Sequence, residues 1–396
     1  MTRTIFFITR CRSGLKFMRP QSGTLRGRWT RREFVRGAAA VVALPHLPFG
    51  TTRSQRFAYV GSGLDLIHVF SLRSDTWTEI QRLPSREPAC VLLSPAQRTL
   101  YVANEVDVYE GSPRGTVEAF HIDLDGRLML LGRTALSLSA THPRNITISA
   151  DGKMLAVAAY GGGVYNLIPI AADGSLGRPS GIFKDTGCGP HSQLQISSHP
   201  HTLLFDTTGR HLLASDFGSD RLSVFAVEDG RLRRRMEIST GEGSGPGACA
   251  LHPAGSFFYL WHDLESTLAC YRYDGASGVV GETIQRLSWQ GSHGIRTLAL
   301  HPSGRVLYTT HERRNAVRVW HIDEERGCLS PAQDVSLGAG RPTQMIAAPD
   351  GKRVYILSAA GGLIHEMIAD GATGELSTPR SVAVVKEAKS MALKTI

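Results

Sequence analysis

Side chains able to do acid–base or anion-binding chemistry recur at equivalent points of a pattern that the chain repeats six times. One column of that pattern holds Ala89, Arg144, His201, Gly247, Arg296 and Thr343. A second column holds the pairs Asn104-Glu105, Ala159-Tyr160, Asp216-Phe217, His262-Asp263, His311-Glu312 and Ser358-Ala359. A purely structural repeat would fill such positions with small or apolar residues. Two arginines and a histidine in one column, and Glu105, Asp263, Glu312, His262 and His311 in the other, instead suit a small polar ligand with an anionic character. The alternative is that these charges only neutralise one another.

Convergence of such distant residues requires an element that repeats. Six segments share one form: Ser94-Pro95-Ala96-Gln97-Arg98, Ser149-Ala150-Asp151-Gly152-Lys153, Asp206-Thr207-Thr208-Gly209-Arg210, His252-Pro253-Ala254-Gly255-Ser256, His301-Pro302-Ser303-Gly304-Arg305 and Ala348-Pro349-Asp350-Gly351-Lys352. Their turn positions, 97, 152, 209, 255, 304 and 351, lie 55, 57, 46, 49 and 47 residues apart. Each turn joins two short apolar strands. A third strand alternates polar and apolar residues, as in Arg221-Leu222-Ser223-Val224-Phe225-Ala226-Val227, and a weaker fourth follows. Four-stranded antiparallel meanders of this length are the size of propeller blades.

Six turns count six blades. Phe57–Gly61 and Ile67–Leu72 supply the second and third strands of a seventh, and Lys389–Leu393 supplies its missing first strand. The expected fold is therefore all-β: a seven-bladed β-propeller of four-stranded antiparallel blades, its ring closed by the N- and C-terminal strands. Closure removes the sheet edges that invite aggregation. A sandwich of two β-domains would not explain six copies of one hairpin. In an up-and-down meander, the loop before strand one and the loop between strands two and three lie at the same end, so both columns open on one mouth.

The chain has 396 residues, with 42 Gly and 19 Pro, and carries a net charge of +9. That charge is not spread evenly. Residues 1–53 hold eleven Lys and Arg against Glu33 alone, a balance of +10, which leaves the remainder at −1. A near-neutral body lacks the electrostatic footprint of a nucleic-acid binder. No apolar run reaches the ~18 residues of a spanning helix, so no membrane span is expected.

The N-terminal balance reads as an address. Thr30-Arg31-Arg32-Glu33-Phe34-Val35-Arg36 precedes the apolar run Gly37–Leu44, the pattern of a twin-arginine export signal. The expected organisation is a signal region over 1–53 and one propeller over 54–396. Residues 1–17 are unusual for such a signal, and Met18 would give a more ordinary start. The twin-arginine translocation machinery is then a partner, the location is the periplasm or exterior of a bacterium, and the expected assembly is a monomer. Cys90, Cys188, Cys249, Cys270 and Cys328 are scattered without a CxxC, so no zinc or redox site is indicated. No cofactor or metal is expected. An oxygen and nitrogen cluster of Asp216, Asp220, His199 and His201 is conceivable, but Asp216 and Asp220 read more simply as loop caps. Trp77, Trp261, Trp289 and Trp320 read as blade packing, and Arg233-Arg234-Arg235 as a solvated outer strand.

His199-Pro200-His201 with Ser215-Asp216-Phe217-Gly218-Ser219-Asp220-Arg221 resembles the signature blade of the lactonase family of seven-bladed propellers. That family includes propeller-type 6-phosphogluconolactonase and carboxy-cis,cis-muconate cyclase. Tyr101-Val102-Ala103-Asn104-Glu105 and Tyr160-Gly161-Gly162-Gly163 resemble two neighbouring family motifs. The resemblance covers roughly residues 57–394 and implies a lactone hydrolase with His201 as acid/base and Asp263 as its partner, an Asp where Glu is usual. Arg144, Arg296, Glu105, His262, His311, Glu312 and His199 are then the candidate ligand contacts. Gly247 and Glu312 stand where the family often has Arg. Two positive charges are thereby missing from the expected anion clamp, which points to a lactone without a phosphate. The other reading is a non-catalytic exported propeller that binds a small anionic ligand or a protein.

Overall fold

In this computed structural model the described residues are 56–73, 75–288, 297–311, 314–338 and 341–395. The proposed export signal lies outside them. Seven four-stranded antiparallel sheets follow one another around a ring. The first blade runs Pro88–Leu93, Thr99–Asn104, Thr116–Ile122 and Leu128–Ala135. The second begins at Pro143–Ile148, the third at Pro200–Phe205, the fourth at Pro246–Leu251, the fifth at Leu298–Leu300 and the sixth at Pro342–Ala347. These first strands touch in cyclic order and form the inner wall. No helix among the described residues is long and apolar enough to cross a membrane.

The seventh blade is composite, as expected. Ala388–Thr395 is its inner strand and pairs antiparallel with Arg56–Ser62, with Tyr59 opposite Ala392 and Ala58 opposite Leu393. Leu66–Arg73 and Thr76–Pro84 complete it. The last strand thus hydrogen-bonds to the first strand described, and the ring has no open sheet edge at its seam.

Burial follows position within the blade. Second strands such as Thr99–Asn104 and Phe257–His262 are buried throughout, because both their faces meet neighbouring blades. Fourth strands such as Arg231–Ser239 alternate, because one face meets water. The core accordingly lies between blades: Tyr101, Ala103 and Val117 of the first pack on Leu155 and Val157 of the second. Each such large apolar side chain contributes about 1.5–3 kcal/mol on burial. Tyrosines on second strands also bolt one blade to the next. Tyr59, Tyr101, Tyr259 and Tyr308 donate to the carbonyls of Gly126, Gly174, Gly327 and Gly374, at 3.1, 3.0, 3.0 and 2.8 Å. Gly327 shows why glycine stands there: its φ is +72°, and an added Cβ would lie 2.3 Å from the Phe257 ring.

The six repeated turns form at the expected positions. Gly152, Gly209, Gly255, Gly304 and Gly351 all have positive φ, and Gln97 adopts the same conformation in the first blade. Trp261 and Trp320 are buried between blades, and Trp77 packs on Phe70 and Tyr355; Trp289 lies outside the described residues. Arg233, Arg234 and Arg235 sit on the outermost strand of the third blade, where Arg234 reaches the buried Asp185 at 3.0 Å. Cys249 and Cys270 are buried.

Candidate functional site

The first strands open with a shared device. Glu87-Pro88-Ala89, His142-Pro143-Arg144, His199-Pro200-His201, Gly245-Pro246-Gly247 and Arg341-Pro342-Thr343 each begin a blade, and Glu387-Ala388-Lys389 begins the seventh. Directly after the Pro, or Ala388, the pairing with strand two slips: Pro200 faces Asp216 but Thr202 faces Ser215, which leaves His201 as an extra residue. The same bulge frees Ala89, Arg144, Thr343 and Lys389, and in the fourth blade Gly247 with Ala248. A bulge turns its extra side chain out of the sheet's alternation. Here that direction is the mouth.

A backbone hydrogen bond then ties the two columns together. The residue just past strand two donates its N–H to the carbonyl of the residue two before the bulge. Glu105 binds Glu87 at 2.8 Å, Tyr160 binds His142 at 3.0 Å, Phe217 binds His199 at 3.1 Å and Asp263 binds Gly245 at 2.8 Å. Ala359 and Gly63 do the same to Arg341 and Glu387, at 2.8 and 2.9 Å.

The mouth holds a cavity of about 490 Å³ lined by Ala89, Glu105, Arg144, His201, Thr343, Ala359, Glu387, Ala388 and Lys389. His201 Nδ1 lies 2.9 Å from Thr202 Oγ1. On the neighbouring blade, Asp263 Oδ1 accepts from Trp261 Nε1 at 2.7 Å. Gly247 stands between them. A Cβ built there would sit 3.6 Å from Asp263 Oδ2 and 3.7 Å from His201 Cε1. The missing side chain therefore leaves a small space bounded by an imidazole and a carboxylate.

Arg144 is held from two sides. Its Nε donates to Glu105 Oε1 at 2.5 Å, and its guanidinium lies over the Tyr160 ring at 4.0 Å. Tyr160 stacks in turn on His199, with centroids 4.5 Å apart and planes 11° from parallel. His199 Nδ1 lies 2.9 Å from the Tyr160 carbonyl, so that nitrogen carries the proton and donates. His199 is thus a support beneath Tyr160 and is not among the residues lining the cavity. Burial raises the Tyr160 phenol above its ordinary range, while Arg144 opposes that shift.

His262 and His311 do not join the mouth. Both are the last residue of a second strand, and both are buried. His262 Nε2 faces the Tyr271 hydroxyl at 3.5 Å, and His311 Nε2 faces Thr309 Oγ1 at 3.2 Å. Successive residues of an extended strand point to opposite sides. In the second column Glu105 and Ala359, the second members of their pairs, line the cavity, while Asn104, Asp216 and Ser358 are buried like the histidines. Arg296 and Glu312 lie outside the described residues.

The two buried histidines matter for stability instead. Burial, aided by Arg286, pushes the His262 pKa down to about 3, and burial with Arg318 pushes that of His311 down to about 4. In the unfolded chain each takes up a proton near the ordinary value of about 6.5. Below that pH the unfolded state binds more protons, so this part of the stability is complete above about pH 6.5 and falls as the pH drops towards the folded values. The loss amounts to about 3 kcal/mol per histidine by about pH 4. Urea midpoints measured between about pH 7 and pH 4 should therefore fall steeply. His262→Gln with His311→Gln should flatten that fall, and an unaltered slope would refute the assignment.

Asp216 and Asp220 cap loops. Asp216 accepts from Ser198 Oγ, from His199 N at 2.7 Å and from Gly218 N at 3.0 Å. Asp220 accepts from Gln195 at 2.6 Å, Gly243 N at 2.7 Å and Gly245 N at 2.8 Å. They do not assemble with His199 and His201 as metal ligands, and no such group of three is formed among the described residues.

Two features of the mouth escaped the sequence reading. Lys389 lies on the closing strand, 2.6 Å from Glu87 Oε2 and 3.5 Å from Glu105 Oε2. Partial burial opposes its charge, but the two carboxylates outweigh that and raise the ammonium above its ordinary range. The equivalence of Lys389 to Arg144 and His201 was available once that strand was recognised as the seventh first strand. The second feature is an asymmetry. The link between strands two and three spans 105–115 in the first blade, against 160–163, 217–220, 263–266, 359–362 and 63–65 elsewhere. It folds as a small hairpin, Val108–Tyr109 against Ser112–Pro113, and is anchored by a close contact between the Asp107 carboxylate and His142 Nε2. Beneath it an outer cleft of about 640 Å³ adjoins the cavity and shares Glu105, Arg144 and Lys389 with it.

A closed ring of seven four-stranded blades with a polar mouth at one end is a seven-bladed β-propeller. The chain belongs to the lactonase family of seven-bladed propellers: the family description "Lactonase, 7-bladed beta-propeller" matches residues 50–393. Among curated relatives, 6-phosphogluconolactonase of Pectobacterium carotovorum is 30% identical over 240 residues, 59% of this chain and 65% of that protein. That of Bacillus subtilis is 26% identical over 223 residues, 56% of this chain and 62% of that protein. These matches span less than two thirds of the relatives' own length. Among solved structures, the periplasmic gluconolactonase of Pseudomonas aeruginosa superposes with a TM-score of 0.75 at 23% identity, covering 86% of this chain and 99% of that one.

Proposed function

We propose that the protein is a lactone hydrolase that opens a small, unphosphorylated sugar or carboxylate lactone, acting as an exported monomer in the periplasm or outside the cell. The observation that carries this reading is the space above Gly247, bounded by the His201 imidazole and the Asp263 carboxylate, at a mouth that Arg144 also lines. An imidazole has an ordinary pKa of about 6.5 and exchanges protons readily near neutral pH. The His201 imidazole, whose Nδ1 lies beside the Thr202 hydroxyl, takes the proton from the attacking water. Asp263, held by Trp261, favours the imidazolium that forms. The water oxygen bonds to the lactone carbonyl carbon, and Arg144 stabilises the resulting oxyanion. The ring C–O bond then breaks, and the proton passes from His201 to the departing ring oxygen, which leaves a hydroxy acid.

Two observations support an unphosphorylated substrate. Arg144 and Lys389 already face Glu105 and Glu87, and Gly247 adds no cation. The twin-arginine pattern of the N-terminal segment, read as export, agrees with this, since export would remove the protein from the cytoplasm where sugar phosphates are concentrated. The direct test is a pH-stat measurement of acid release from glucono-1,5-lactone with the body of the protein. Release well above the spontaneous background is expected, and a rate equal to background across a panel of aldonolactones and carboxylate lactones would overturn the reading.

A further inference from the structure

The ring-closing strand places Lys389 where the second and third blades place Arg144 and His201, on a bulge at the same mouth. Its side chain is about one third exposed, 32%, so a ligand can reach the ammonium. Lys389 also stands where the inner cavity meets the outer cleft beneath the hairpin, and both spaces use it.

We propose that Lys389 is a substrate-binding residue that anchors a subsite for the hydroxyl groups of a polyhydroxylated lactone. An ammonium only donates hydrogen bonds and a carboxylate only accepts them. A sugar hydroxyl does both, so adjacent hydroxyls fit a surface on which donor and acceptor alternate. Lys389 between Glu87 and Glu105, with Arg144 beyond Glu105, is such a surface. The outer cleft continues it with Arg86, Asp107 and His142. Charges of both signs favour a neutral polar group over a phosphate or an alkyl chain. The lactone carbonyl then lies towards His201, and the hydroxylated carbons lie towards Lys389. This deepens the hydrolase reading and rests on it for the reaction, though not for binding.

The test compares glucono-1,5-lactone with δ-valerolactone, which lacks hydroxyl groups. Lys389→Met should raise the ratio of their KM values about tenfold or more, the loss expected of one hydrogen bond from a charged group, with kcat for gluconolactone little changed. Lys389→Arg should recover part of that loss. A lysine that only braced the closing strand would shift the melting temperature and affect both lactones alike; an unchanged KM ratio overturns the proposal. Calorimetric titration with 1,5-anhydro-D-glucitol, a neutral polyhydroxylated ring that cannot be hydrolysed, separates this from the hydrolase reading. Weaker binding to Lys389→Met than to the unaltered protein supports the subsite even where neither lactone is hydrolysed, and equal binding overturns it.

Discussion

Replacing His201 with alanine is expected to lower kcat/KM for the preferred lactone at least ~100-fold, the smaller end of what a positioned general base contributes, while the ring stays folded. The reason is geometric. His201 is the one imidazole among the described residues lining the inner cavity, and it borders the Gly247 space that Asp263 borders from the next blade. Its neighbour His199 cannot stand in, because that ring is stacked under Tyr160 with Nδ1 on a backbone carbonyl. Folding should survive, since His201 lies on a bulge and its strand keeps the pairs from Thr202–Ser215 to Phe205–Leu212. Circular dichroism and a melting curve check that point alongside the rate. An unchanged rate in folded His201→Ala would remove the imidazole from the mechanism. Asp263→Asn, which keeps the shape and the Trp261 contact but loses the charge, should cost less.

The second large effect concerns the seam. A chain ending after Glu387 is expected to lose its cooperative unfolding transition and to aggregate. The lost strand makes seven paired positions with Arg56–Ser62, from Arg56–Thr395 to Ser62–Ala388. It also removes Ala388, Met391 and part of the packing around Ala58, Val60 and Leu357. At about 1.5–3 kcal/mol for each large apolar side chain uncovered, the loss rivals the whole ~5–15 kcal/mol by which a protein of ordinary stability stays folded. It also bares the Arg56–Ser62 edge to other chains. A synthetic peptide of residues 388–395 added during refolding should restore part of the soluble fraction. Normal melting of the shortened chain would show that the ring does not depend on this closure.

Much of this architecture is written along the chain because its signals are local and repeated. A turn needing positive φ, flanked by alternating strands, can be recognised in a few residues, and six copies at one spacing leave little choice of fold. The pairing of Lys389–Leu393 with the N-terminal strand followed from counting, since six complete meanders and one lacking its first strand require a partner for the remainder. The strand-one column was legible too, for Ala89, Arg144, His201 and Thr343 all reach the cavity.

What stayed out of reach was direction at single-residue resolution. His262 and Asp263 are adjacent, yet one is buried and the other borders the Gly247 space, because an extended strand reverses side with every residue. Which first-strand residue faces the mouth depends likewise on the bulge that offsets the register, and no local pattern announced it. Lys389 shows the same gap at long range: Glu87 lies about 300 residues away, and only closing the ring sets them 2.6 Å apart. Order along the chain prescribed the blades, whereas the meeting of charges at the mouth arose from how those blades curl round and lock.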